Sequence, residues 1–281
     1  MDARPYTPDG CASGEITMGS LFDGIGGFPL AAVMAGIKPL WASEIEAFPI
    51  EVTKERFPDM VHVGDITKLD GAKLPPVDII CGGSPCQDLS VAGARAGLAG
   101  ARSGLFMEQC RIVKEMRNAD IQRGRTGVSV RPRFMVWENV PGAFSSGEPK
   151  GEDFRIVIEE ILRIKYGSIY APGSYPWTWG SPGESLLGDD LSIAWRTINA
   201  QYWGVPQRRN RIFLVADFGG QCASWILFDK KGLPGDPETG EGERETPAEA
   251  AGACPDDPSG AYPIERGENP CGEFVPHQPE E

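Results

Sequence analysis

Between Ile16 and Ala216, short runs rich in apolar and β-branched residues alternate with stretches whose apolar positions recur every three or four residues. Ile16–Phe22, Lys38–Ser43, Met60–Val63, Val77–Cys81, Arg133–Trp137, Ser192–Ile198 and Arg211–Ala216 read as strands. Val77–Cys81 is apolar almost throughout, as suits a strand buried on both faces. A helix is predicted from Phe28 to Ala35, with Pro29 tolerated in its first turn. Phe154–Tyr166 is an amphipathic helix with Ile156, Val157, Ile161, Leu162 and Ile164 as its apolar positions. This alternation predicts an α/β fold, a largely parallel sheet with helices on both faces. The short turn from Gln201 to Asn210 predicts that the last two strands are an antiparallel pair closing the sheet. Two stretches break the pattern. Gly82–Gly104 is a glycine-rich loop longer than compact domains usually carry without a function. Ala171–Asp190, with Trp177 and Trp179, reads as an irregular connection.

Composition narrows the class. With 41% hydrophobic residues among 281, the chain can bury a core. It has no apolar run of the ~18–20 residues a membrane helix needs, and no secretory signal opens it. The seven cysteines (Cys11, Cys81, Cys86, Cys110, Cys222, Cys254, Cys271) form no C-x-x-C pair. Neither a disulfide framework nor a structural zinc site is expected, and a reducing cytoplasm fits. The net charge of −13 argues against a nucleic-acid partner until it is located. From Gly232 onward there are 13 acidic residues against two basic ones, which leaves 27 acids and 25 bases in the preceding 231 residues. The body is near neutral and leaves room for a local basic cleft. Residues 231–281, rich in proline and glycine, read as a disordered acidic tail, or as the start of a segment that folds only with more chain. Residues 1–15 read as an N-terminal extension and 16–230 as the folded domain.

Candidate chemistry falls at the ends of the expected strands. Phe22-Asp-Gly-Ile-Gly-Gly-Phe28 follows the first strand and opens a helix, so Gly24, Gly26 and Gly27 permit a tight turn and close approach of a ligand. Glu44 lies 20 residues beyond Gly24, where a carboxylate can accept from two ribose hydroxyls, and Asp65 can take an adenine amino group. The spacing lacks the third glycine of a dinucleotide site. A plain β–α turn with solvated carboxylates is the simpler alternative. Cys86, stiffened by Pro85 and just past a buried strand, is a candidate nucleophile, whereas Cys81 inside that strand belongs to the core. Glu138 ends the fifth strand and should lie about one strand spacing, roughly 5 Å, from Cys86. Gln207, Arg209 and Arg211 alternate on one face of an extended segment, suited to holding a carbonyl or phosphate oxygen, or to forming a basic surface turn.

Taken in order, LFDGIGGF, Glu44, GDIT, GGSPCQDLSVAG, RSGLF, WENVPG and GVPQRRNRIFLV resemble the cytosine-C5 DNA methyltransferase family from about Met18 to Phe218. The resemblance implies the Rossmann-like fold of S-adenosylmethionine-dependent methyltransferases, mostly parallel with an antiparallel last strand pair. It implies S-adenosylmethionine as methyl donor, held by Phe22, Gly24, Ile25, Gly26, Gly27, Glu44, Asp65, Ile66, Gly83, Pro85 and Leu105, and no metal. It further implies that Cys86 attacks C6 of a cytosine flipped from double-stranded DNA, with Glu138 at N3 and Arg211, supported by Arg209 and Gln207, at O2. Gln87–Arg102 resembles the family's mobile loop, with Gln87, Ser90 and Arg95 facing DNA and Gly93, Gly97, Gly100 and Gly104 as hinges. The family's target-recognition region and the later motif that completes the donor pocket have no visible counterpart. Ile226-Leu-Phe-Asp-Lys-Lys-Gly-Leu233 resembles the exit toward that region.

Three readings follow. The chain is the catalytic half of a split enzyme whose recognition half is a second polypeptide. Alternatively it is a truncated, inactive copy, or a binding or regulatory protein that keeps the fold. RNA cytosine methylation is a lesser alternative, since flipped-base chemistry is common to both substrates. A bacterial or phage-encoded cytoplasmic protein is expected.

Overall fold

The computed structural model describes residues 15–85, 104–167, 178–187 and 189–228. The N-terminal extension through residue 14, residues 86–103 with Cys86, residues 168–177 and 188, and residues 229–281 with the acidic tail lie outside them. The expected α/β architecture is present. Strands β1 (Thr17–Leu21), β2 (Lys38–Ser43), β3 (Val61–His62), β4 (Ile79–Gly82) and β5 (Phe134–Asn139) match the predicted runs to within two residues at either end. Helices α1 (Gly27–Met34), α2 (Ala47–Arg56), α3 (Gly104–Gln122), α4 (Glu152–Tyr166) and α5 (Ala223–Leu227) accompany them. Three further strands complete the sheet: β6 (Gly183–Leu187), β7 (Leu191–Asn199) and β8 (Asn210–Asp217).

The strand order is β3-β2-β1-β4-β5-β8-β7-β6. Neighbours are parallel from β3 to β5 and antiparallel from β5 to β6. The carboxyl ends of β1, β2, β4 and β5 therefore share one edge. Because β8 enters antiparallel, its first residues arrive at that same edge, with Asn139 opposite Ile212. One added antiparallel arm thus delivers the Gln207–Arg211 segment to the ends of the parallel strands.

Alternation along each strand divides the core between two faces. Ile80, Met135, Trp137, Ile193, Trp195, Ile212 and Leu214 face α3 and α4 and form the larger cluster. Met18, Ile79, Cys81 and Phe134 face the other way, with Ala32 of α1. Phe154 of α4 is fully buried at the centre of the larger cluster, with its ring 4.7 Å from Phe144, 5.1 Å from Trp179 and 5.4 Å from Trp195, all edge-on.

Four elements were not in the sequence reading: α2, α3, α5 and β6. The connection over 171–190 contains β6, an edge strand whose Gly-Glu-Ser opening gives no apolar alternation. Helix α3 begins where the glycine-rich loop was expected to end, and its buried face includes Gln109, Arg117 and Asp120 beside Phe106, Cys110, Val113 and Met116. These polar residues interrupt the apolar period that marks a core helix. Arg117 is accommodated by the carbonyls of Val130, Pro132 and Phe218. Cys81 and Cys110 are buried free thiols, as befits core residues. Cys222 is buried as well, and its sulfur lies 3.3 Å from Arg133 Nη2. Among the described residues no helix is long and apolar enough to cross a membrane.

Truncating the aromatic centre should be costly. Phe154→Ala is expected to lower unfolding free energy by about 3–5 kcal/mol, because the rings around it cannot collapse into the void. Phe48→Ala, at a side chain on the surface of α2 that is 70% exposed, should stay within about 0.5 kcal/mol of the parent. Denaturant titration of the two variants checks this, and equal effects would refute the packing account.

Candidate active site

The first half of the site is a turn held in a tight conformation. Phe22 leaves β1 with φ of +54°, which a residue with a side chain adopts only when its surroundings impose it. Gly24 at +55° and Gly26 at +88° continue the left-handed path into α1. At Gly26 a Cβ would also meet Thr53 and Phe57 of the α2 region at 2.9 and 2.8 Å, so glycine is required twice over. At Gly24, Gly27 and Gly64 a Cβ would meet nothing within 4 Å, so the backbone there borders open space.

Hydrogen bonds tie three strand ends together around that space. The Gly24 amide donates to Glu44 Oε2 at 2.8 Å, and the amides of Ile45 and Glu46 donate to Oε1 at 2.7 and 3.0 Å. The Asp23 amide donates to the Ser43 carbonyl at 3.3 Å, and Ser43 Oγ donates to the Gly64 carbonyl at 2.6 Å. Glu44 is thus a fixed acceptor rather than a loosely solvated carboxylate. Asp65 caps the turn Ile66–Lys68, with Oδ1 accepting from the Thr67 hydroxyl at 2.8 Å and amide at 3.0 Å. The Thr67 hydroxyl and amide, with Lys68, hold its carboxyl below the usual range. From beneath, Arg111 of α3 donates to the carbonyls of Ile66 and Leu69 at 3.0 and 2.9 Å and fixes this segment.

The second half lies at the ends of β4, β5 and β8. Gly83 passes so close to β5 that a Cβ there would stand 3.2 Å from Glu138 Oε2. Ser84 is clamped from two sides: Trp137 Nε1 donates to its hydroxyl at 3.1 Å, and Asn139 Nδ2 donates to its carbonyl at 3.2 Å. Asn139 Oδ1 in turn accepts from the Val140 amide at 2.8 Å, so the amide orientation is determined. These contacts fix the path of the chain as far as Pro85, which is exposed. Across the sheet, Arg211 Nε lies 3.1 Å from Glu138 Oε1, and Arg209 Nη2 lies 3.9 Å from the same oxygen. Both arginines therefore converge on one carboxylate.

The structure brings several of the singled-out residues together. Phe22, Gly24, Gly26, Gly27 and Glu44 line the turn, and Gly83, Glu138, Arg209 and Arg211 form the second group. Ile25 is 54% exposed, Ile66 is buried beneath its turn, and Leu105 in the first turn of α3 packs on the larger core cluster. Gln207 is exposed, its amide donating to the Val205 carbonyl at 2.7 Å, and does not join the ion pair. Cys86, Gln87, Ser90 and Arg95 lie outside the described residues. Asn139, Trp137, Arg111 and Asp23 were not singled out from sequence. The W-E-N spelling could have flagged the first two, since alternate positions of a strand end face opposite sides, but nothing in sequence marked Arg111.

Asp23 is the unusual group. It is 6% exposed, its Oδ1 accepts from Ser20 Oγ at 2.5 Å, and its Oδ2 is buried without a hydrogen-bond partner. Burial pushes its carboxyl up to about 6, against the lowering effect of the Ser20 hydroxyl and with a further push from Glu44.

The model of the C-5 cytosine-specific DNA methylase family matches residues 16–221, and the chain belongs to that family. A protein of Escherichia phage P1, named as a DNA N-6-adenine-methyltransferase, is 33% identical over 242 residues, which cover 78% of this chain and 31% of that protein. The type II methyltransferase M1.ScrFI of Lactococcus lactis subsp. cremoris is 31% identical over 196 residues, covering 69% of this chain and 40% of that enzyme. The chain therefore spans roughly a third of the length of the curated relatives it matches. A crystal structure of a putative DNA modification methyltransferase from an E. coli prophage aligns over 73% of this chain and 47% of its own, with 24% identity and a TM-score of 0.49.

Two outcomes are expected from these groups. Asn139→Ala removes the donor to the Ser84 carbonyl and should cost about 1–3 kcal/mol, read as a fall of several degrees in Tm; an unchanged Tm would show that the clamp is not needed. Asp23 has a folded pKa above its ordinary 3.8, so folding favours its protonated form. Its contribution to stability is fully present below pH ~4 and is lost as the pH rises through about 6. Asp23→Asn should therefore gain stability relative to the parent between pH 4 and 7. Chemical denaturation across that range checks the sign, and a constant difference would contradict it.

Proposed function

We propose that this chain transfers a methyl group from S-adenosylmethionine to C5 of cytosine in DNA, as the catalytic part of an enzyme whose recognition part is supplied by a second polypeptide. The observation that supports this reading is the convergence of Arg211 and Arg209 on Glu138, beside the Gly83–Pro85 segment that leads to Cys86.

The donor fits the first half of the site. Open space borders Gly24, Gly27 and Gly64, and the fixed acceptors Glu44 and Asp65 stand at the neighbouring strand ends. Glu44 would take ribose hydroxyls and Asp65 an adenine amino group, while Phe22 packs against the base. When bound, S-adenosylmethionine supplies an electrophilic methyl carbon on a positively charged sulfur.

The chain's own residues prepare the acceptor. C5 of cytosine is a weak nucleophile in the aromatic ring. A base flipped from the duplex presents C6 to the Cys86 thiolate, and the new S–C6 bond turns C5 into an enamine-like carbon. Negative charge then spreads over N3 and O2. Glu138 protonates or hydrogen-bonds N3, and Arg211 holds O2. Arg209 steadies the same carboxyl group. Once C5 is methylated, a base removes its proton, the C–H electron pair re-forms the C5–C6 double bond, and the Cys86 thiolate is expelled. The segment after Cys86, with Gln87, Ser90 and Arg95, would close over the flipped base and contact DNA.

The name of the phage P1 relative refers to adenine N6, an exocyclic amine that needs no thiolate addition, so product analysis separates the two outcomes. The full chain is incubated with methyl-labelled S-adenosylmethionine and plasmid DNA, alone and with the recognition region of a relative added in trans. Label is expected in 5-methylcytosine, greater with the added region, and lost in Cys86→Ser but not in Cys81→Ser. Label in N6-methyladenine, or label that survives Cys86→Ser, would overturn the proposal. Absence of label under both conditions would favour an inactive or regulatory copy.

A further inference from the structure

The donor loop carries a charged group that neither ribose nor adenine recognition uses. Asp23 sits between Phe22 and Gly24, yet its side chain turns beneath the loop, toward the sheet face of Met18 and Cys81. Among the described residues only Ser20 Oγ satisfies it, at Oδ1, while Oδ2 is buried without a partner among them. The described groups facing it are the Ser20 hydroxyl from β1, the Glu44 carboxylate from the end of β2 and the Cys81 thiol from β4. None of these is cationic. Helix α1, which packs over it, has no acidic residue in its first turn and no basic residue in its last. A carboxyl buried among neutral and negative groups, with a free oxygen, is an incomplete arrangement. A positive charge on the ligand side of the loop would complete it.

We propose that Asp23 is a positioning residue that favours the sulfonium donor over its uncharged thioether product. This inference rests on the donor reading of the site given above. The donor and the product left after methyl transfer share the adenosine and amino-acid parts and differ by one methyl and one positive charge. Glu44, Asp65 and the glycine turn hold parts common to both, so they cannot tell them apart. The buried Asp23 carboxylate can, because it belongs to the turn that borders the open space at Gly24 and Gly27, and a charge at that depth is weakly screened. Donor binding then favours the ionised carboxyl, and loss of the charge on methyl transfer removes the attraction. Product release is thereby assisted by the chemistry itself.

The test uses the full chain and three probes: S-adenosylmethionine, S-adenosylhomocysteine, and sinefungin, which carries an ammonium in place of the sulfonium. Dissociation constants are measured calorimetrically at pH 7 for the parent and for Asp23→Asn, with circular dichroism to confirm folding. Asp23→Asn is expected to weaken both cationic ligands by about three- to tenfold and to leave S-adenosylhomocysteine unchanged. A second measurement needs no variant. In the parent, the preference for S-adenosylmethionine over S-adenosylhomocysteine should diminish between pH 7 and 5 as Asp23 takes up a proton. Equal weakening of all three ligands would reduce Asp23 to a structural support and overturn the proposal, as would an unchanged ratio in either experiment. Failure of the parent to bind S-adenosylhomocysteine would instead remove the donor reading on which the proposal rests.

Discussion

One constraint organises the site: a single carboxylate, Glu138, faces the start of an antiparallel strand that brings two guanidiniums to it. The parallel strands alone would leave Glu138 at a sheet edge with no cation opposite. Strand β8 enters in the reverse direction, so its N-terminal residues, rather than its C-terminal ones, arrive beside the end of β5. Alternation then puts Glu138 and Arg211 on the same face of the sheet, opposite the face on which Trp137 and Ile212 join the core. The same inversion of strand direction closes the fold and assembles the chemistry.

The two halves of the site are joined through β1 and β4, which are hydrogen-bonded neighbours with Leu21 opposite Gly82. The glycine turn leaves the end of β1 and the Gly83–Pro85 segment leaves the end of β4, so each half is set by the strand next to the other's. Side chains tighten both. Trp137 and Asn139 of β5 clamp Ser84 at its hydroxyl and its carbonyl, and the partly exposed Arg111 holds the Asp65 segment from beneath. None of these groups needs to touch a ligand to fix where ligand-binding groups stand.

Much of this was legible in the sequence. The parallel strands announced themselves as compact apolar runs, and glycines at the first turn were correctly tied to backbone requirements at Gly24 and Gly26. Glu138, Arg209 and Arg211 came together because strand pairing and alternation are predictable once strands β4, β5 and β8 are adjacent. What escaped notice did so for physical reasons. Helix α3 buries Gln109, Arg117 and Asp120, so its inward face does not look apolar. Strand β6 opens on glycine and two polar residues. Asp23 looked like an ordinary turn residue, because a sequence does not state which way a side chain turns. Gln207 was grouped with the two arginines by spacing alone, but it stands in the turn three residues before β8, where it is exposed.

The central claim is that Glu138 and Arg211 act as one unit on a base attacked by Cys86. Exchange of the C5 hydrogen of cytosine reports that attack without any methyl donor. Tritium release from DNA labelled at cytosine C5 should be measured, in the presence of the recognition region, for the parent, Glu138→Gln, Arg211→Ala and the double variant. The account predicts that each single change removes most of the exchange and that the double variant is scarcely worse than either one. Independent, multiplicative losses, or exchange that persists in the double variant, would contradict it.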